Sequence, residues 1–94
     1  MKNFHLQIAA PDGLRYDGEA TQISVRGIEG DLAVLAGHIP FVTALRAGEC
    51  RVYTGESGET IRRARYSGGM ITVSDSAVRM ISADFRWLDE ESGN

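Results

Sequence analysis

The sequence predicts an all-β fold, an antiparallel β-sandwich or flattened barrel of about ten short strands. Three observations carry this. Apolar and polar residues alternate with a period of two through much of the chain, as in Phe4-His5-Leu6-Gln7-Ile8. Clusters of Gly, Pro, Asp and Ser interrupt it every eight to twelve residues or so. No stretch holds a helical apolar period of about 3.6 residues for several turns.

In chain order, Phe4, Leu6 and Ile8 share one face of a first strand that runs to Ala10. Pro11-Asp12-Gly13 is turn chemistry, with proline presetting φ and glycine free to take the left-handed position. Leu14 begins a second strand, and Asp17-Gly18 is expected to break it with a turn or bulge. Ala20 to Arg26 alternates again, with Ile23 and Val25 inward and Gln22, Ser24 and Arg26 outward. From Gly27 to Leu45 the chain reads as a loop system on a β scaffold. Gly27 and Gly30 suit a tight reversal, and Glu29 and Asp31 keep it in water. Leu32-Ala33-Val34-Leu35 is too short for a helix and reads as a buried strand. Gly37-His38-Ile39-Pro40 turns the chain, Pro40 being unsuited to a central ladder, and Phe41 to Leu45 is extended.

Cys50 to Thr54 and Thr60 to Tyr66 form a hairpin around the polar tip Gly55-Glu56-Ser57-Gly58-Glu59, with Arg63 and Arg65 on one face and Ala64 and Tyr66 on the other. Ser67-Gly68-Gly69 breaks the pattern with a bulge or tight bend. Met70-Ile71-Thr72-Val73 reads as apolar on both faces, which predicts a central strand covered on both sides. Ser74-Asp75-Ser76 is a turn, and Ala77 to Ala83 pairs back as the last strand. The β-sandwich domain is expected over residues 1–86, with 87–94 an acidic tail carrying Asp89-Glu90-Glu91.

Composition narrows the function classes. Ninety-four residues make one domain with room for a real core. A net charge of −3 argues against nucleic acid and against an anionic membrane surface. Cys50 is the one cysteine, so no internal disulfide forms, which fits a reducing compartment. The N-terminus lacks the apolar core of a signal peptide, and no apolar run approaches the ~20 residues of a spanning helix. The expectation is a soluble chain whose membrane link runs through a partner.

Nothing in the pattern insists on catalysis. His5, His38 and Cys50 match no paired metal-ligand spacing. No strand-to-helix elbow presents a serine, and Asp75 lies in a plain turn. Asp17 with Glu19, and Asp89 with Glu90, are carboxylate pairs in solvated loops. Ser67-Gly68-Gly69 leads into a strand, where a phosphate cradle would lead into a helix. Arg62, Arg63 and Arg65 form the basic cluster, and beside Tyr53 and Tyr66 they offer the alternative of a small barrel that binds single-stranded nucleic acid. The residues otherwise describe an all-β interaction module with no catalytic, cofactor or metal site.

Several separated motifs then point to a family. Gly30-Asp31-Leu32-Ala33-Val34-Leu35-Ala36-Gly37-His38-Ile39-Pro40 resembles the G-E-L-G-(I/V)-L-P-G-H-A-P signature of the epsilon subunit of F-type ATP synthases. Val42 to Gly48 is similar to that family's l-T-a-L-k-p-G, Tyr66 to Val73 to its v-S-G-G-f-l-e-V, and Val78 to Asp84 to its V-t-i-L-a-d. Phe4 to Ile8 and Pro11-Asp12-Gly13 resemble its opening strand and turn, so the likeness runs in order from Phe4 to Asp84.

The resemblance implies a β-sandwich with no active site of its own, acting as a rotor component of the central stalk. Its implied partners are the gamma subunit and the membrane-embedded c-ring, and its implied task is coupling ion translocation to ATP synthesis or hydrolysis. The implied location is peripheral, at the cytoplasmic face of a bacterial inner or plasma membrane. The family's acidic c-ring contact falls on Asp31, and the histidine and threonine near gamma fall on His38 and Thr43. Two departures stand out. Ala33 and Ala36 replace the signature's glycine and proline, and the sequence stops at Asn94, where family members usually continue into a helical hairpin. Hairpin-based inhibition and nucleotide binding are therefore not expected of this chain.

Overall fold

Period-two alternation becomes ten strands in the computed structural model, which describes residues 2–37, 39–75 and 77–88. They are β1 (Phe4–Ala10), β2 (Gly13–Ala20), β3 (Gln22–Gly27), β4 (Gly30–Leu35), β5 (Phe41–Leu45), β6 (Gly48–Thr54), β7 (Thr60–Tyr66), β8 (Gly69–Val73), β9 (Ala77–Ser82) and β10 (Arg86–Trp87). Hydrogen bonding links them as β10-β7-β6-β3-β5-β8-β9-β1-β2, with β4 held on β3 beside that path. The sheet folds over at β3, which pairs with β6 through Gln22–Ser24 and reaches β5 at Gly27. Two layers result, and their inner faces make one core.

That core is the alternation read from the sequence. Leu6, Ile8, Ile23, Val34, Val52, Ile71 and Met80 have no measurable exposure. Burying each such side chain contributes about 1.5–3 kcal/mol against the entropy of ordering the chain. Every strand pair is antiparallel except β1 with β9, which run parallel with His5 opposite Ala77 and Ala9 opposite Ile81. A parallel pair cannot be joined by a short turn, and here the rest of the domain is the connection.

Several expectations need correction. β2 is unbroken at Asp17-Gly18, and the irregularity falls earlier, where the register shifts so that Ile8 faces Tyr16 but Ala9 faces Leu14. β4 is half-buried, not buried. Its one ladder partner is β3, so Val34 reaches the core while Asp31, Ala33 and Leu35 face out. β8 is covered on one face only, with Ile71 and Val73 inside and Met70 and Thr72 in solvent. β9 is not the last strand. Phe85 and Trp87 extend the core, and β10 sets Trp87 opposite Ala64 of β7.

Trp87 closes one edge of the sandwich. Its ring meets Phe85 and Tyr16 edge-on, carries the Arg62 guanidinium 3.9 Å above its centre, and donates its Nε1–H to the Arg15 carbonyl at 3.2 Å. Gly69 is the glycine the fold most needs. It sits at φ 145°, and an added Cβ would collide with the Ile81 carbonyl and lie 2.8 Å from the Ser82 Cα. Residues Asp89–Glu91 of the acidic tail lie outside the described residues. No helix among those described is long and apolar enough to cross a membrane.

Candidate partner-binding surfaces

The β3–β4 hairpin builds the first surface. Gly27 pairs with Gly30, leaving Ile28-Glu29 as a two-residue turn, and a Cβ on Gly27 would lie 2.9 Å from the Gly30 carbonyl oxygen. Asp31 follows at the start of β4 with its side chain 75% exposed, opposite Arg26, whose Nε donates to the Asp31 Oδ1 at 3.1 Å. The hairpin is tied to the next layer by two backbone bonds. Ile28 N–H donates to the Ala44 carbonyl at 3.1 Å, and Arg46 N–H to the Arg26 carbonyl at 2.9 Å. Asp31 is therefore displayed at a projecting edge, as its place in a wet turn suggested. His38 lies outside the described residues. Thr43 is half-buried on β5 opposite the buried Ile71, with Val42 and Ala44 on the outer face either side of it.

The second surface is one the sequence reading did not find. Ladder register aligns Leu14, Ala9, Ile81, Met70 and Ala44 in one row across β2, β1, β9, β8 and β5. The bond from Ile28 to Ala44 extends the row to the hairpin tip. All six are apolar and share the outer face. Leu14, Ile28, Met70 and Ile81 keep 55%, 57%, 48% and 55% of their surface in solvent. At about 4.8 Å per strand, the row is roughly 24 Å long. The adjoining row is polar through Asp17, Gln7, Arg79 and Thr72, ending on the exposed Val42. A contiguous apolar strip with a polar border is the anatomy of a protein–protein interface. The signal available in the sequence was β8 itself, whose Met70 is apolar on the side that faces water.

The arginine cluster does not assemble as the nucleic-acid alternative requires. Arg62 lies on the inner register and stacks on Trp87, away from Arg63 and Arg65. Tyr66 is buried, and its hydroxyl is engaged with the Arg26 backbone. Arg51 and Arg63, directly opposite each other, share Glu49 at 3.1 and 3.8 Å. Tyr66 offers no open ring for a base to stack on.

Among the described residues the titratable groups form no reactive centre. His5 Nε2 approaches Asp17 Oδ1 at 2.7 Å on the exposed β1–β2 face. Among the described residues no three His, Cys, Asp or Glu side chains are grouped to hold a metal ion. Cys50 is buried in the core, and burial pushes its thiol up to about 12, so it stays protonated and inert.

Residues 3–87 match the family model described as ATP synthase, Delta/Epsilon chain, beta-sandwich domain. The ATP synthase epsilon chain of Nitrobacter winogradskyi is 35% identical over 82 residues, covering 87% of this chain and 58% of that relative. The epsilon chain of Halalkalibacterium halodurans is 33% identical over 82 residues, covering 87% and 59%. The chain thus spans somewhat over half the length of these curated relatives. A chain in the OSCP/F1/c-ring structure of the Euglena gracilis mitochondrial ATP synthase superposes with a TM-score of 0.84 at 28% identity, over 94% of this chain and 55% of that one. A chain of the central stalk and c-ring of the Tetrahymena thermophila enzyme superposes with a TM-score of 0.74 at 16% identity, over 90% and 66%, and supports the fold alone.

Proposed function

The chain belongs to the delta/epsilon β-sandwich family of ATP synthase, and on that premise we propose that it is a non-catalytic rotor component of the central stalk. Its part is to join the gamma subunit to the c-ring, so that rotation driven by ion flow through the ring reaches the catalytic subunits. The complex would hold it at the cytoplasmic face of the membrane without insertion of its own.

One observation carries the reading: the outward apolar row from Leu14 to Ile28 ends on the same hairpin that displays Asp31. A rotor link needs two different surfaces joined rigidly. The row supplies a broad dry face suited to gamma, and the hairpin supplies a charged edge suited to polar loops of the ring. Thr43 lies between Val42 and Ala44 on β5 but on the opposite face from the row, and it and His38 are carried toward gamma by the family resemblance alone. Rigidity comes from the shared core, since β3 belongs to both layers. Co-expression of the chain with its gamma subunit tests the proposal. A complex that survives gel filtration is expected, and a gamma subunit that elutes free of the wild-type chain overturns it.

A further inference from the structure

The hairpin that carries Asp31 leaves the sandwich at the point where β3 changes layers. Its ladder with β6 is recorded from Gln22 to Ser24, and β5 is met at Gly27, so Arg26 stands between two pairings. At that step the hydroxyl of Tyr66 fills the gap. It accepts the Arg26 N–H at 2.9 Å and donates to the Arg26 carbonyl at 3.3 Å, the same carbonyl that receives Arg46 N–H at 2.9 Å. The phenol is buried, and burial pushes it above its ordinary value, so it remains a neutral donor through the physiological range. On the outer side, the Arg26 stem runs over Gly48, where an added Cβ would come within 3.3 Å of both Cβ and Cδ of the arginine. The guanidinium then closes on Asp31. One residue is thus held through its main chain from inside and through its side chain from outside.

We propose that Tyr66 and Arg26 are positioning residues that set the angle at which the Gly27–Asp31 hairpin leaves the body, and so the placement of its carboxylate. The assignment of that carboxylate to the c-ring rests on the function proposed above, whereas the positioning itself does not. β4 has β3 as its ladder partner, so the hairpin's direction depends on how β3 is held at Arg26, together with the Gly27–Leu45 pairing and the Ile28–Ala44 bond at its tip. A part-buried N–H left without its acceptor favours local opening, and opening here swings the hairpin without unzipping the core.

Hydrogen exchange on the whole chain reads this directly. Tyr66→Phe removes the hydroxyl and keeps the ring, and Gly48→Ala crowds the Arg26 stem without touching the core. Either variant is expected to speed exchange of the amides from Ile28 to Leu32 by about tenfold, with β8 and β9 within about twofold of wild type. Binding to the detergent-solubilised c-ring should weaken while binding to gamma is unchanged. Unchanged hairpin exchange in both variants overturns the proposal, and so does an increase spread evenly over all strands. If the wild-type chain does not bind the ring, the ring assignment falls, and the exchange result still decides the positioning role.

Discussion

Replacing Met70 and Ile81 together with threonine removes the middle of the apolar row, where β8 and β9 lie side by side. In the free chain the two are 48% and 55% exposed, so a partner would cover about half of each. Full burial of such a side chain is worth about 1.5–3 kcal/mol, and the half still open contributes about 1 kcal/mol. Losing both costs about 2 kcal/mol of association, or roughly 30-fold in Kd. Threonine suits a strand and points outward, so the Tm should move by a few degrees at most. Calorimetric titration against the gamma subunit, with a thermal melt of the isolated variant, supplies both readings. An affinity within about threefold of wild type at an unchanged Tm would refute the assignment of this face. A Tm falling by ten degrees or more would place the two side chains in folding instead.

Other outcomes follow from the same geometry. Asp31→Lys should weaken docking to the c-ring while leaving the melt nearly unchanged, because the carboxylate is exposed and its pair with Arg26 is a surface one worth about 0–1 kcal/mol; unfolding of this variant would make Asp31 architectural. Gly69→Ala should cost on the order of 4 kcal/mol or abolish folding, measured by urea denaturation, since its Cβ meets main-chain atoms that cannot move aside. Cys50 should resist iodoacetamide at pH 8 until the protein is unfolded, and fast labelling of the folded chain would contradict its burial. The thiol also sets a sign for alkaline stability. Its folded value, about 12, lies above the ordinary 9.0, so above pH 9 the unfolded chain releases a proton that the native one retains. Stability is then lost as pH rises, by up to about 1.4 kcal/mol per pH unit, and Cys50→Ala should flatten that part of the profile.

Strand positions were largely legible because each depends on neighbours two residues apart, a local quantity. The inward set Ile23, Val25, Ala64 and Tyr66 follows from alternation alone. What resisted reading was pairing. Nothing near His5 announces that its neighbour is Ala77, and β4 resembles a core strand because Leu32, Val34 and Leu35 do not reveal that it hangs from β3 alone. The final strand, β10, was missed because Phe85 and Trp87 sit next to charges, and an aromatic pair that short carries no period. The exposed place of Asp31 beside the turn was legible through turn chemistry. The apolar row was not, since Leu14, Ala9, Ile81, Met70, Ala44 and Ile28 become adjacent only once register is set. Met70 gave the one hint, read as cover by the protein's own second layer when that side is open to solvent.

The parallel contact between β1 and β9 bears on how the sheet is completed. β1 shares an edge with β9, and loop closure over most of the domain must precede that contact. Until then β1 and β2 can form a hairpin with both outer edges open, and Phe4, Leu6 and Ile8 have no finished layer to enter. Ala9 and Leu14 are neighbours early in synthesis, but Ile81 and Met70 join them only when β9 docks. The complete apolar row is therefore absent from chains that end before β9. A partner of this row would meet it complete only once β9 has docked.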